Sequence, residues 1–225
     1  MLRTIISNAG SLSFIDVLFI IVSYAALIFV MLPLHELAHA WVATKLGDNT
    51  ARWHGRLSFN PLAHLDLWGT LCLVLFGFGF ARAVPVNPRN FRNPKRDMAL
   101  TALAGPVSNL LMALVSLLVY RILISIVPSI TMAMLSNIVL VQVFASVNLG
   151  LAVFNLLPVP PLDGSRIFSA ILPSRWTYWM DQYHQYLTYG VLLLIAFGAL
   201  DGPLNFLVHY LGGILCAVVG LPNYF

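Results

Sequence analysis

Residues 13–45 read SFIDVLFIIVSYAALIFVMLPLHELAHAWVATK, an almost unbroken helix-compatible apolar stretch. As one helix it would be about 50 Å long, whereas the hydrocarbon core of a bilayer is about 30 Å thick. The helix must therefore tilt, project past one interface, or bend near Pro33, which cannot donate a backbone hydrogen bond. Gly47 and the polar residues after it mark where the helix stops. The stretch predicts a helical membrane protein.

The composition supports a membrane protein. Of the 225 residues, 60% are hydrophobic and 9% are charged, whereas about a quarter of the residues in a soluble domain are charged. We expect one intramembrane domain over residues 1–225, all-α and polytopic, with five or six hydrophobic helical segments. The net charge of +4 forms no basic face, so no nucleic-acid partner is expected. Cys72 and Cys216 lie in apolar runs without CxxC spacing and are interpreted as packed thiols.

The later segments differ in length. Residues 51–66 are predicted to form an irregular interfacial loop. Residues 67–80 are apolar but too few for a comfortable span, which favours a re-entrant segment. Residues 98–126 and 135–157 are predicted spans. The runs at 186–200 and 204–219 are compatible with two spans or with one hairpin, and the sequence leaves both open.

The basic residues test this topology, because cytoplasmic loops accumulate Lys and Arg. If residues 67–80 are re-entrant and the amino terminus lies outside, every Lys and Arg except Arg3 and Arg121 falls on the cytoplasmic side. If residues 67–80 span the membrane instead, this asymmetry largely vanishes. The charge distribution therefore favours the re-entrant arrangement.

The motif that indicates chemistry is His-Glu-Leu-Ala-His at residues 35–39. Positions i and i+4 share a helix face, so His35 and His39 can bind one metal ion while Glu36 lies beside it. Imidazole suits zinc, and a catalytic zinc typically has three protein ligands and one open position. Glu36 is the only glutamate in the chain. Because an ionisable residue inside a membrane helix indicates function, we predict that Glu36 is the catalytic acid/base.

A third ligand is required, and Asp163 is the strongest candidate. It follows a hydrophobic span within LLPVPPLDG, where the prolines fix the backbone and Gly164 permits a tight turn. The alternative is that Asp163 caps the segment that follows it. Local sequence does not separate the two interpretations. The other polar candidates are His54, His64, Asp66, Asp181, His184, Asp201 and His209.

Three separated motifs resemble the site-2 protease family of intramembrane metalloproteases, specifically the small prokaryotic members without a PDZ domain. They are HELAH at 35–39, AGPVSN at 104–109, and NLLP at 155–158 continuing to LDG at 162–164. The resemblance covers roughly residues 30–170 and keeps the order of the motifs.

The resemblance implies that His35, His39 and Asp163 hold one zinc ion. It also places Asn109 near the active site, where its amide could donate to a developing oxyanion or to the substrate backbone. The alternative for Asn109 is a polar residue that links helices within the bundle.

The expected activity is zinc-dependent cleavage in or near transmembrane segments of membrane-protein substrates. The enzyme would lie in the bilayer of a prokaryotic cell membrane, with its active site toward the cytoplasm. Two other classes were weighed. A transporter predicts polar sites along the bundle or internal repeats, and neither is found. An inactive scaffold does not require the intact Glu36.

Overall fold

The computed structural model describes residues 14–76, 79, 81–126, 132–223 and 225. Its first helical run consists of α1 (Phe14–Ala26), a π-helical turn (Leu27–Met31) and α2 (Leu32–Lys45). The N–H of Leu32 donates to the carbonyl of Leu27, five residues back. Pro33 has no N–H and crowds the preceding turn, and a π-helical turn is one way a helix accommodates such a disturbance. The interruption predicted at Pro33 is therefore present, just before the histidine motif.

Three long helices form the centre of the bundle: α5 (Pro94–Ile126), α6 (Met132–Asn155) and α10 (Asp201–Val219). One core cluster joins Leu117 of α5, Ala145 of α6 and Cys216 of α10. A second joins Ala113 to Leu149 and to other residues of α6 and α10. Leu117 of α5 clusters with Ala145 of α6, whereas Ala113, four residues earlier in α5, clusters with Leu149, four residues later in α6. These two helices are therefore antiparallel.

Three helical segments of the described chain are long and apolar enough to cross a membrane: Ile20–Lys45, Pro94–Ser125 and Asp201–Val219. Val141–Asn155 is a shorter apolar helix. Exposed apolar side chains such as Leu111 and Val115 cover the outer surface of α5, as lipid contact requires. The chain is thus an all-α, polytopic membrane protein, as predicted.

The basic residues gather at one end of this bundle. Helix α2 runs antiparallel to α5, because His35 contacts Asn109 and His39 contacts the carbonyl of Thr101. Lys45 at the end of α2 and Lys95 at the start of α5 therefore lie at the same end, which we call the basic end.

The segment predicted to be re-entrant begins and ends at neighbouring positions in space. Helix α4 (Leu67–Phe76) starts after Asp66, whose carboxylate accepts the N–H of Gly69 at 2.8 Å. Gly79 lies so close to α4 that a Cβ there would be 2.2 Å from the carbonyl oxygen of Gly69. The N–H of Arg82 then donates to the carbonyl of His64 at 2.8 Å. The chain leaves beside the point at which it entered, which agrees with a re-entrant segment, while its position relative to a membrane stays a prediction.

The loop before α4 reaches further than predicted. It contains the short helix α3 (Thr50–Trp53) and a 3₁₀ turn (Pro61–Ala63), and this turn contacts the π-helical turn Leu27–Met31. An interfacial loop was expected, but this part of it runs alongside the first helix. Buried Arg56 makes this possible, because its Nη1 donates to the carbonyls of Ala63 and Arg82.

Burial lowers the pKa of the Arg56 guanidinium and neighbouring Arg82 lowers it further, whereas the negative charge of Glu36 raises it. Arg56 makes no ion pair with a carboxylate in the part of the chain that the structure describes.

The remaining helices are α7 (Asp163–Ile171), α8 (Ser174–Gln182) and α9 (His184–Ala196). With 13 residues, α9 is about 20 Å long, which is short of the hydrocarbon thickness. Of the two carboxyl-terminal runs, α10 has the length of a span and α9 does not. Both cysteines are free thiols, as predicted, and Cys216 is buried.

A buried carboxylate closes the basic end of α2. Asp48 is fully buried, and its oxygens accept from the N–H and hydroxyl of Thr50, the amide of Asn90 and the N–H of Asn87. Gly47, at φ 110°, supplies the left-handed turn that brings Asp48 into place. Burial raises the pKa of Asp48, but these donors outweigh it and hold the pKa below its ordinary value.

We expect the stabilisation of this loop by the hydrogen bonds to Asp48 to be pH-dependent. Because the pKa of Asp48 is depressed, its stabilisation is fully present above the ordinary carboxyl range and is lost as the pH falls through the depressed value. Acidification to below the ordinary carboxyl range should therefore expose the loop to an acid-active protease. Asp48→Asn should expose it already at neutral pH, because losing a charge-assisted acceptor costs about 1–3 kcal/mol.

The measurement is limited proteolysis of the protein in detergent, with an acid-active protease below neutral pH and trypsin at neutral pH. Asp181→Asn, an exposed carboxylate outside this loop, is the control. Equal cleavage rates for wild type, Asp48→Asn and the control would contradict a stabilising role for Asp48 in this loop.

Candidate metal centre

Two histidines of α2 meet on its buried face. His35 is 5% exposed and His39 is 7% exposed. Their Nε2 atoms lie 3.0 Å apart, and the rings are nearly perpendicular, at 83°. The i and i+4 spacing therefore produces the paired imidazoles that the sequence predicted.

Asp163 completes the group. It is the first residue of α7, and its Oδ2 lies 3.2 Å from Nε2 of His35 and 3.3 Å from Nε2 of His39. The capping alternative is wrong, because the cap position belongs to Leu162 and the carboxylate of Asp163 faces the histidines. Gly164 permits this approach: a Cβ there would be 2.2 Å from the carbonyl oxygen of Leu157.

The other ring nitrogens fix the orientation of both histidines. Nδ1 of His39 donates to the carbonyl of Thr101 at 2.7 Å, and Nδ1 of His35 donates to Oδ1 of Asn109 at 3.2 Å. Each acceptor is an oxygen, so the proton of each neutral ring is on Nδ1. Each Nε2 then presents a lone pair, which is the arrangement found in histidines that bind metals.

The three converging atoms are arranged to hold a cation. Two Nε2 lone pairs and one carboxylate oxygen lie within 3.0–3.3 Å of one another, and Oδ2 of Asp163 has no hydrogen-bond donor. Without a positive charge between them these atoms repel. Tetrahedral zinc with bonds of about 2.0–2.1 Å separates its ligand atoms by about 3.3 Å, which matches the three distances. Two imidazoles and one carboxylate also leave one position open, as a catalytic zinc requires.

Gly105 of α5 lies against this group. A Cβ at Gly105 would be 2.4 Å from Nε2 of His39 and 2.6 Å from Nε2 of His35. No other residue type fits there without displacing the donor atoms.

Asn109 is fully buried and contacts the centre through His35. Its Oδ1 joins α5 to α2, which agrees with the helix-linking alternative. Its Nδ2 has no hydrogen-bond partner among the described residues. Because a buried donor without a partner costs about 1–3 kcal/mol, this NH₂ is available to an acceptor that enters the site.

Glu36 is partly exposed. It accepts no hydrogen bond from the part of the chain that the structure describes, so its carboxylate is available as a proton acceptor.

The other polar candidates lie elsewhere. Within the described residues, His35, His39 and Asp163 are the only metal-binding group of this type. His54 binds the carbonyl of Thr50, His64 binds the carbonyl of Ser58, and Asp66 caps α4. Sequence reasoning missed the role of Thr101, because a backbone carbonyl leaves no signature in the residue type.

Proteins with similar sequences are named as zinc metalloproteases. The model of peptidase family M50 matches residues 121–198, which include Asp163. The chain is 41% identical over 177 residues to "Putative zinc metalloprotease YwhC" of Bacillus subtilis (strain 168), and the alignment covers 76% of this chain and 79% of that protein. The chain belongs to peptidase family M50. It is therefore a zinc metalloprotease, and the resemblance to site-2 proteases is confirmed.

Two further relatives are covered over a smaller share of their length. The chain is 31% identical over 138 residues to "Putative zinc metalloprotease Rip2" of Mycolicibacterium smegmatis (strain ATCC 700084 / mc(2)155), with 59% of this chain and 51% of that protein aligned. For Rip2 of Mycobacterium tuberculosis (strain ATCC 25618 / H37Rv) the identity is 32% over 141 residues, with 60% and 51% aligned. The chain thus spans about half of each Rip2 protein. No solved structure matches it significantly.

A matched pair of glycine substitutions tests the metal centre of this M50 protein. Gly105→Ala should reduce zinc affinity by at least about tenfold, because disturbing the surroundings of metal ligands typically costs 10–100-fold. Gly150→Ala in α6 should leave zinc affinity unchanged, since a Cβ there has no neighbour within 4 Å. Zinc per protein is measured after dialysis against graded chelator. Equal zinc retention by the two variants would contradict the proposed centre.

Proposed function

We propose that this M50 protein is an intramembrane endopeptidase that hydrolyses peptide bonds in or near transmembrane segments of membrane-protein substrates. Residues 1–225 act as one intramembrane domain. The observation that carries the proposal is the convergence of the His35, His39 and Asp163 acceptor atoms beside a membrane-spanning helix.

The depth of the site supports action within the membrane. His39 precedes Lys45, the last residue of α2, by six positions, which is about 9 Å along the helix axis. The centre thus lies inside the span Ile20–Lys45 but close to its basic end. Because cytoplasmic loops accumulate Lys and Arg, we place this end in the cytoplasm of a prokaryotic cell. Water reaches the site from that side.

The chain's own groups divide the work. His35, His39 and Asp163 hold the metal, with Thr101 and Asn109 fixing the two imidazole rings. Zinc, when bound, lowers the pKa of water and polarises the scissile carbonyl. Glu36 accepts a proton from the attacking water and transfers it to the leaving amine. The unpartnered Nδ2 of Asn109 donates to the substrate oxygen that gains negative charge.

Glu36→Gln tests the function. Loss of the acid/base should reduce kcat by about 10²–10⁴-fold while zinc stays bound, because Glu36 is not a ligand. The purified protein is reconstituted in vesicles with a model transmembrane substrate, and cleavage and zinc content are measured. Asp181→Asn, an exposed carboxylate outside the centre, is the control. Undiminished cleavage by Glu36→Gln would reject the proposal, and metal flux without cleavage would favour the transporter class.

A substrate helix must unwind before cleavage, because its carbonyls are engaged in hydrogen bonds. Residues 83–86 offer a place for the unwound chain. The N–H groups of Ala83, Val84 and Val86 make no hydrogen bond to a described residue. Val84 precedes a proline, which favours extended backbone.

Both ends of this segment are fastened. Arg82 is held by Arg56 and by the carbonyl of His64, and the N–H of Asn87 is held by Asp48. We infer that substrate adds to this edge as an extended strand.

Two substitutions at one position test the strand edge. Val86→Pro removes an N–H without disturbing extended backbone, so KM should rise while zinc content is unchanged. Val86→Ala keeps the N–H and should behave like wild type. The assay is the vesicle cleavage reaction at graded substrate concentrations. An identical KM for the two variants would contradict strand addition at this edge.

A further inference from the structure

Helix α8 carries an unusual stripe of exposed aromatic rings. Trp176 is 57% exposed, Trp179 is 45% exposed and Tyr183, just after the helix, is 39% exposed. Successive ring centroids along Trp176, Trp179, Tyr183 and Tyr186 are 6.4, 5.4 and 6.3 Å apart. The i, i+3 and i+7 spacing places the first three rings on one helix face. We call these four residues the aromatic stripe.

Outside the stripe, α8 exposes polar residues and Tyr178, which is 70% exposed. Met180 is buried, and α8 contacts α7. Arg175, Asp181 and Gln182 lie on the helix surface away from the stripe. Helix α8 is therefore amphipathic, with an uncovered aromatic face. A short helix of this kind lies in the plane of a membrane interface, where Trp and Tyr place their apolar rings and polar atoms at headgroup level.

The exposed tryptophans and basic residues of the chain also indicate a membrane interface. All five tryptophans of the chain are at least 45% exposed. Trp41 lies close to the basic end of α2, where Nζ of Lys45 is 5.6 Å from its ring centroid. Helix α7, which begins at the metal centre with Asp163, carries Arg166, and α8 carries Arg175. Exposed cations beside interfacial aromatic rings complement a leaflet of anionic phospholipid.

We propose that the aromatic stripe lies in the boundary between headgroups and acyl chains of an anionic leaflet, on the metal-centre side of the membrane. Helix α7 is then held between two fixed points, with Asp163 at the metal centre and α8 at the interface. The lipid surface thereby sets the depth of the third ligand relative to α2.

Fluorescence of single-tryptophan proteins tests this placement and does not depend on cleavage. One protein retains Trp179 and another retains Trp41, with the other tryptophans replaced by Phe. Each is reconstituted in phosphatidylcholine vesicles containing phosphatidylglycerol, with lipids brominated near the glycerol or near the chain end. We expect shallow bromines to quench Trp179 more than deep bromines do, and aqueous iodide to quench it weakly. Trp41, on a membrane-spanning helix, is the positive control.

Three results would overturn the proposal. Trp179 could be quenched by iodide and unaffected by brominated lipid while Trp41 responds, which would place α8 in water. Trp179 could escape both quenchers with emission that depends on protein density in the vesicle, which would indicate a second copy covering the stripe. Shallow quenching that does not weaken when phosphatidylglycerol is omitted would exclude recognition of anionic lipid.

Discussion

The structure depends on the convergence of three electron-pair acceptors in a largely buried place. Two imidazole nitrogens and a carboxylate oxygen lie within 3.3 Å of one another. In a medium of low dielectric such a group is unstable without a cation, since burying unpaired polar atoms is costly. A zinc ion held by His35, His39 and Asp163 would supply the positive charge that these atoms of α2 and α7 lack.

The packing around the centre follows from that requirement. Ligand atoms on α2 and α7 can meet only where the intervening helix has no side chain, and Gly105 of α5 provides that space. Gly164 plays the corresponding part for the approach of α7 to the end of α6. Small residues commonly permit such close helix contacts in membranes. Here the close packing of these helices also sets the distances between the metal-ligand atoms. Helix packing and metal binding therefore depend on the same small residues.

Sequence reasoning predicted the features that depend on residue type and spacing within one segment of the chain. The pairing of His35 with His39 follows from helix spacing, and the disturbance of the helix just before Pro33 follows from proline chemistry. Asp163 needed the family resemblance, because residues on separate segments meet only through tertiary structure. The contacts of Thr101 with His39 and of Arg56 with Ala63 and Arg82 were not predictable, since their acceptors are backbone carbonyls. The contact of the 51–66 loop with the turn Leu27–Met31 was likewise not predictable from local sequence.

Two polar clamps fasten the segment that, in our proposal, receives an unwound substrate chain. Arg56 and Asp48 each hold backbone atoms of the segment that contains residues 82–87, one with a buried cation and the other with a buried anion. On one side of residues 83–86 the carbonyl of Arg82 accepts from Arg56 and its N–H donates to the carbonyl of His64, and on the other side the N–H of Asn87 donates to Asp48. Extended backbone needs such fastening here, since neither helix nor sheet supplies its hydrogen bonds. The two buried charges thus hold both ends of the backbone that we propose as the substrate-binding edge.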